Sequence, residues 1–394
     1  MDKIEALHMS QVMDLAKFAY RHVGYGVQLS RDMSWHLRYK NSDMPPLQYR
    51  ILEQAKLLFT SAINGEDYYN HGLFRSDMSF AEKARFLGYY KNFRYYDKIN
   101  PTQFDALARD KVLFQILAQG LGLSVPELVA VTASSTGPAC GRRLVDKYAL
   151  ESFLLENTSC DLFFKPAAGS FGSGALAIGG KASRADRWWR LPGDAKISLA
   201  EIIEHVHFRG KMSRFLIQRR LRPHAALNEI VADVCSTVRI MTYTTNETVA
   251  VLGAALRLGS GRDPTDNLSG GGVVVAVDLV TGVLGAVTNI DKGIPERMTA
   301  HPVSGVAITG KCVPDWPGLL SLVKDAALKL SFMPCIGWDI AVTDAGPVIV
   351  EINNTPRCRP VQVASDSGIL VGSFREFLLS QDGVLRSGLH LRKC

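Results

Sequence analysis

GWDIAVTDAGPVIVEINNTP, residues 337–356, sets two carboxylates, Asp339 and Glu351, among valines and isoleucines. Acidic side chains rarely sit among such neighbours unless something pairs with them. Apolar residues alternate with small or polar ones over 335–343 and again over 347–352, which predicts two strands. Asp344-Ala345-Gly346 between them is a turn signal, because Gly takes positive φ without steric cost. A three-residue loop closing an antiparallel hairpin sets Asp339 opposite Glu351, with Asn353 two positions on and on the same face. Like charges facing each other destabilise a sheet. A hard divalent cation with oxygen ligands relieves that repulsion, and Mg2+ is the usual one where phosphates supply further ligands. Asp339, Glu351 and Asn353 are therefore the candidate metal ligands. Solvated acids at a sheet edge are the plainer alternative.

Outward from this hairpin, the 394-residue chain is 47% hydrophobic and 21% charged, which suits a globular protein of two or three domains. Seven cysteines with no C-x-x-C pair argue against a disulfide scaffold or a zinc site, and make a reducing interior the default. The opening segment, MDKIEALHMSQVMDLAKFAYRHVG, is amphipathic at helical spacing and lacks the apolar core of a signal peptide. No 18 apolar residues run together, so the expectation is a cytoplasmic protein with no membrane partner. The net charge is +7, and residues 181–224 hold eleven Lys/Arg against four Asp/Glu, a surplus equal to that of the whole chain. Such a region suits a polyanion such as a nucleoside triphosphate or nucleic acid, with a solvated face as the commoner alternative. No nucleic-acid-binding signature accompanies it, so no nucleic acid partner is expected.

Residues 1–100 read as helical and aromatic-rich. YRILEQAKLLFTSAING has helical spacing and a stop at Asn64-Gly65, and Ser79 with Glu82 forms a capping box. From 101 the pattern is mixed: a helix over 105–119, a strand near Val125, and strands over 128–132, 161–165, 215–218, 237–243 and 249–257. Helices are expected at 199–207 and 316–330, and a second hairpin turns about Thr281-Gly282.

Three further stretches carry chemistry. In DLFFKPAAGSFGSGALAIGG a strand delivers Lys165 to a glycine-rich hairpin. Gly169, Ser170, Gly172, Ser173 and Gly174 let backbone amides approach phosphate oxygens while Lys165 neutralises charge. No Gly-Lys-Ser/Thr closes it, and a strand rather than a helix follows, so it is neither a Walker A loop nor a dinucleotide fingerprint. A flexible surface hairpin is the competing reading. In FLIQRRLRPH, Gln218, Arg219 and Leu221 end a strand whose backbone groups would read an adenine edge, unless the segment is a domain hinge. In RLGSGRDPTDNLSGGG, Arg257, Arg262 and Asn267 suit a transferring phosphoryl group or a substrate carboxylate, with an exposed loop as the alternative.

Taken in order, these motifs resemble the ATP-grasp superfamily of carboxylate–amine ligases over about 101–370. Asp110-Lys111 before a helix is similar to its opening segment, FFKPAAGSFGSG to its second ATP lysine and flap, and the hairpin's acidic residue followed by E-x-N to its metal pair. NHGLFRSDMSF and KINPTQFDALARDK resemble the sugar-transfer-associated subgroup. The resemblance implies an α+β fold in which two α+β subdomains grip ATP: a helical region over 1–100, a flap-bearing subdomain over 101–225 and a metal-bearing subdomain over 226–394. It implies Lys111 and Lys165 on ATP phosphates and Mg2+, or Mn2+ in its place, on Asp339, Glu351 and Asn353. The partners implied are a small-molecule carboxylate and an amine, with a homodimer as the candidate assembly. Two departures stand out. The adenine segment lacks the usual glutamates, and Gly337 occupies a position where some members carry arginine. The stabilising cation must then come from Arg239, Arg257, Arg262 or Arg357. The expected reaction is ATP-dependent amide formation through an acylphosphate. A phosphotransferase with the same ATP half is the second reading, and a non-catalytic nucleotide-binding module the third.

Overall fold

The structure is a computed structural model that describes residues 23–39, 44–61, 63–88, 96, 99–132, 141–169, 173–182, 187–208, 211–212, 214–245, 248–266, 271–290, 293–372 and 374–376. The amphipathic opening segment lies outside these residues up to Arg21-His22, as do Ser170, Phe171, Gly172 and Asn267. The chain divides into two compact units, one of residues 1–95, 292–295 and 366–394, the other of 96–291 and 296–365.

The first unit is helical: α1 Val23–Arg38, α2 Leu47–Ser61, α3 Gly65–Asn70 and α4 Phe80–Lys83. Leu57, Ile63, Tyr68, Tyr69, Leu73 and Phe86 form its core. The Ser79–Glu82 capping box is present at α4. Asn64-Gly65, expected as a helix stop, instead starts the next helix. The Asn64 side chain accepts from the Asp67 amide, and Gly65 lies against the Asp32 backbone, where a Cβ would come within 2.8 Å of Asp32 Cα. α2 has already ended three residues earlier.

The second unit begins with α5 Asp105–Arg109 and α6 Lys111–Gly120. These replace the single helix expected over 105–119. The break is at Asp110, whose extended backbone and carboxylate cap α6 by accepting from the Val112 and Leu113 amides. Two seven-stranded sheets follow. The first, in the order β2-β1-β9-β3-β4-β5-β6, is built from β1 Leu128–Thr132, β2 Arg142–Leu144, β3 Leu162–Pro166, β4 Leu176–Lys181, β5 Arg187–Leu191, β6 Ala195–Ser198 and β9 Phe215–Arg219. Between β6 and β9 come α8 Leu199–Val206 and a small hairpin of β7 His207–Phe208 and β8 Lys211–Met212. One face of this sheet packs on α8 and α7 Lys147–Glu156 through Phe153, Leu154, Phe164, Trp188, Ile202 and Ile217. Val112 of α6 packs with Leu128, Val131, Leu216 and Ala167 in a second, smaller cluster. Val125 is not in a strand. It lies in the linker before β1, where Ser124 O accepts from Ile349 N (2.8 Å).

The second sheet runs β14-β13-β12-β11-β10-β15-β16, all antiparallel. Its strands are β10 Thr237–Thr245, β11 Thr248–Leu258, β12 Val273–Val277, β13 Leu284–Asn289, β14 Glu296–Met298, β15 Cys335–Thr343 and β16 Gly346–Asn353. The short α9 Ala225–Asn228 precedes it. α10 Trp316–Lys329 covers one face, where Leu319, Val323 and Ala326 meet Val238, Ile240, Leu256, Val275, Trp338 and Ile340. Strand alternation sends Arg239, Arg257, Asp339 and Glu351 to the opposite face. Part of that face is taken by α11 Arg359–Ser365, which sits close enough to β11 that a Cβ on Gly253 would lie 2.4 Å from Val361 Cγ1.

Among the described residues, no helix is long and apolar enough to cross a membrane.

Candidate functional site

The β15–β16 hairpin places Asp339 opposite Glu351 and Gly337 opposite Asn353, as the alternation predicts. The route differs from the expected three-residue loop. Thr343 pairs with Gly346, so the loop is the two residues Asp344-Ala345, and that register alone would slip the carboxylates apart by one. A bulge restores it: Ile340 pairs with Ile349 and Asp339 with Glu351, leaving Val350 as the extra residue. The bulge has a second consequence. The Val350 carbonyl, released from the ladder, accepts from Lys165 Nζ at 3.1 Å.

Lysines from the first sheet's side thus converge on the acidic hairpin of the second. Lys111, the first residue of α6, has Nζ 3.8 Å from Glu351 Oε2 and donates to Gly169 O at 2.8 Å. Its backbone amide donates to Ala167 O. Lys165 leaves β3 just before the glycine-rich turn, which β4 closes as an antiparallel hairpin, Phe164 opposite Leu176. Gly169 has φ +128°, and Gly174 φ +79° with its carbonyl accepting from His205 Nε2. Ser173 lies in the same turn.

Arginines occupy the next strands. Arg239 on β10 is directly opposite Asp339 and grips it with both Nε and NH2, the latter at 3.0 Å. Arg257 on β11 reaches Asp339 Oδ2 at 3.2 Å and Asp266 Oδ2 at 3.3 Å. Asp266 also accepts from the Thr237 amide and hydroxyl. This answers the absence of arginine at position 337. A Cβ there would sit 2.5 Å from Pro356 Cβ, so the loop folding back after Asn353 leaves no room for a side chain, and the guanidinium groups beside Asp339 are those of Arg239 and Arg257 from the neighbouring strands.

The charges are tightly coupled. Burial alone would raise the Asp339 pKa, but Arg239 and Arg257 outweigh it and hold the carboxyl below the usual range. Glu351 goes the other way, pushed up by burial and by the charge of Asp339 against the pull of Lys111 and Lys165. Burial brings Lys165 down to about 8 although Glu351 opposes the shift. Burial also disfavours the charge on Arg257, yet Asp266 and Asp339 raise its pKa. Glu351 keeps 34% of its side-chain surface open, against 2% for Asp339, so it is the carboxylate a ligand reaches first.

The donor set suits a hard cation. Two carboxylates repel across one ladder rung, and the amide of Asn353 shares their face with its nitrogen buried and, among the described residues, without a hydrogen-bond partner. Among the described residues no group of three or more His, Cys, Asp or Glu could hold a metal. The set here is two acids and an amide.

Not every candidate joins this cluster. Arg262 is exposed on the loop after β11. Gln218 is 3% exposed, lies between β1 and β3, and donates to Gln115 Oε1. The amides of Arg219 and Arg220 are engaged by Glu127 O and Asp161 O, so an adenine edge would find Leu221 rather than these two. The Arg219 side chain lies 3.9 Å from Glu127. Three groups were not anticipated: Asp266, the Val350 carbonyl and Asn100. The first adjoins the named Asn267. The other two leave no local signal, because each depends on a partner distant in sequence.

Residues 90–374 match the model of a family described as sugar-transfer associated ATP-grasp. Among the curated proteins no relative matches. Solved structures with similarity include a RimK domain protein ATP-grasp from Sphaerobacter thermophilus DSM 20745, at 15% identity over 67% of each chain and a TM-score of 0.36. D-alanyl-alanine synthetase A from Vibrio cholerae O1 biovar eltor str. N16961 matches at 10% identity, covering 71% of this chain and 65% of that one, TM-score 0.38. N5-carboxyaminoimidazole synthetase from Staphylococcus aureus, solved with ADP, matches at 10% identity over 69% and 53%, TM-score 0.38. The chain thus spans between about half and two thirds of the length of these structures.

Proposed function

The chain belongs to the sugar-transfer-associated ATP-grasp family, and from that premise we propose that it is an ATP-dependent ligase joining a carboxylate to an amine. A carboxylate resists nucleophiles because resonance and hydration stabilise it. In the proposed reaction a carboxylate oxygen takes the γ-phosphoryl group, the bond to the β-phosphate oxygen breaks, and ADP leaves. The amine nitrogen then bonds to the acyl carbon, phosphate leaves with the bonding pair, and the nitrogen gives its proton to solvent.

The protein's part is positioning and charge neutralisation. Lys111 and Lys165 would hold the phosphates of ATP. Asp339, Glu351 and Asn353 would hold Mg2+, which when bound supplies charge neutralisation at the β- and γ-phosphates. Arg239 keeps Asp339 ionised. Arg257, beside Asp339, would steady the substrate carboxylate. The single observation that carries this reading is the convergence of two lysines from the first sheet's side on the acidic hairpin, Lys111 Nζ at 3.8 Å from Glu351 Oε2 and Lys165 Nζ at 3.1 Å from the adjoining Val350 carbonyl.

The test is ADP release over a panel of carboxylates, each with and without amines, with the product weighed by mass spectrometry. An amide product with free phosphate supports the ligase. ADP release without an amine and a product that keeps the phosphoryl group would make it a phosphotransferase.

A further inference from the structure

We propose that Asn100 and Asp105 are positioning residues that set the orientation of Asn353 for the metal–nucleotide complex. The inference rests on the metal role of Asn353 in the reading above. The segment between Asn353 and α11 crosses back over β15, and it is held at four points. Asn100 is 2% exposed and pairs with Cys335 as a neighbouring strand would: its Nδ2 donates to Cys335 O at 2.6 Å and its Oδ1 accepts from Cys335 N at 2.9 Å. The same Nδ2 also donates to Asn354 O. Asp105 Oδ1 accepts from Asn354 Nδ2. Pro356 rests on Gly337, and Cys358 Sγ lies 3.4 Å from the Tyr96 hydroxyl.

Asn354 is therefore tied through its backbone by Asn100 and through its side chain by Asp105, one residue beyond Asn353. The amide nitrogen of Asn353 is buried without a partner. Its direction is inherited from the backbone at 353–354. Asn100 and Asp105 belong to the stretch KINPTQFDALARDK, which ends in Lys111. One short segment thus delivers a phosphate-binding lysine and braces the loop opposite it.

The experiment is calorimetric titration of ATP in EDTA and at stepped Mg2+ concentrations, on wild type and variants. Asn100→Asp keeps the shape but turns donors toward Cys335 O and Asn354 O into acceptors. Asp105→Leu removes the acceptor for Asn354, and Asp105→Asn keeps an oxygen to accept. The Mg2+ concentration that half-tightens ATP binding should rise ~10- to 100-fold in Asn100→Asp and Asp105→Leu, the range seen when groups orienting metal ligands are lost. Asp105→Asn should stay close to wild type, and all should bind ATP in EDTA as wild type does. Should Asn100→Asp fail to fold, the partly exposed Asp105 pair decides. Unchanged Mg2+ dependence in Asp105→Leu, or an equal loss with and without Mg2+, overturns the positioning role alone. If Mg2+ does not tighten ATP binding to wild type, the metal site itself falls and takes this inference with it.

Discussion

Gly337→Ala tests the reason given for the missing arginine. The added methyl would lie 2.5 Å from Pro356 Cβ and 3.4 Å from Pro356 Cα. Carbon atoms sit comfortably at about 3.5–4.0 Å, so the proline must retreat by roughly 1 Å or more. Overpacking of this kind costs about 1–3 kcal/mol. At roughly 2–4 °C of melting temperature per kcal/mol for a domain of this size, the variant should lose several degrees. The displaced loop also carries Asn353 three residues upstream, so turnover should fall further than stability explains. Gly120→Ala is the control, because its Cβ meets nothing within 4 Å and alanine favours a helix. Thermal unfolding of both variants, with ADP release by Gly337→Ala at a temperature where it is folded, gives the answer. A melting temperature and turnover equal to wild type would refute the steric argument and leave Gly337 unexplained.

Glu351→Gln should abolish ADP release while the fold persists. Because folding raises the Glu351 pKa above its usual 4.5, its contribution to stability is full below that value and is lost as pH rises through the folded pKa. In metal-free buffer the variant should therefore melt higher than wild type at pH 7 and no higher at pH 4; the reverse pattern would contradict the repulsion. Lys165 in the unliganded protein loses its proton as pH climbs through about 8, so ATP affinity should decline above that pH in wild type but not in Lys165→Arg. A parallel decline in both would assign the effect elsewhere. Asp110→Ala removes the carboxylate accepting from the Val112 and Leu113 amides and should cost about 0.5–2 kcal/mol, read by urea unfolding. No loss would mean the cap contributes nothing to α6.

Strand alternation is written in the local sequence. It gave Asp339, Glu351 and Asn353 a common face, and it distinguished the strand after the glycine-rich turn from the helix that a dinucleotide fingerprint requires. The order of lysine, glycine turn and acidic hairpin was equally legible, because each motif is a short run whose backbone geometry follows from its own residues. The Asp339–Glu351 rung was legible in outcome but not in route, since a two-residue loop and a bulge at Val350 give the same pairing as the loop expected. What only the tertiary structure decided is which distant residues meet. Arg239 and Asp339 are 100 positions apart, Asn100 and Cys335 are 235, and Lys165 and the Val350 carbonyl are 185. Periodicity fixes the face a residue takes but says nothing of register between strands joined by long connections, because no short turn sets it.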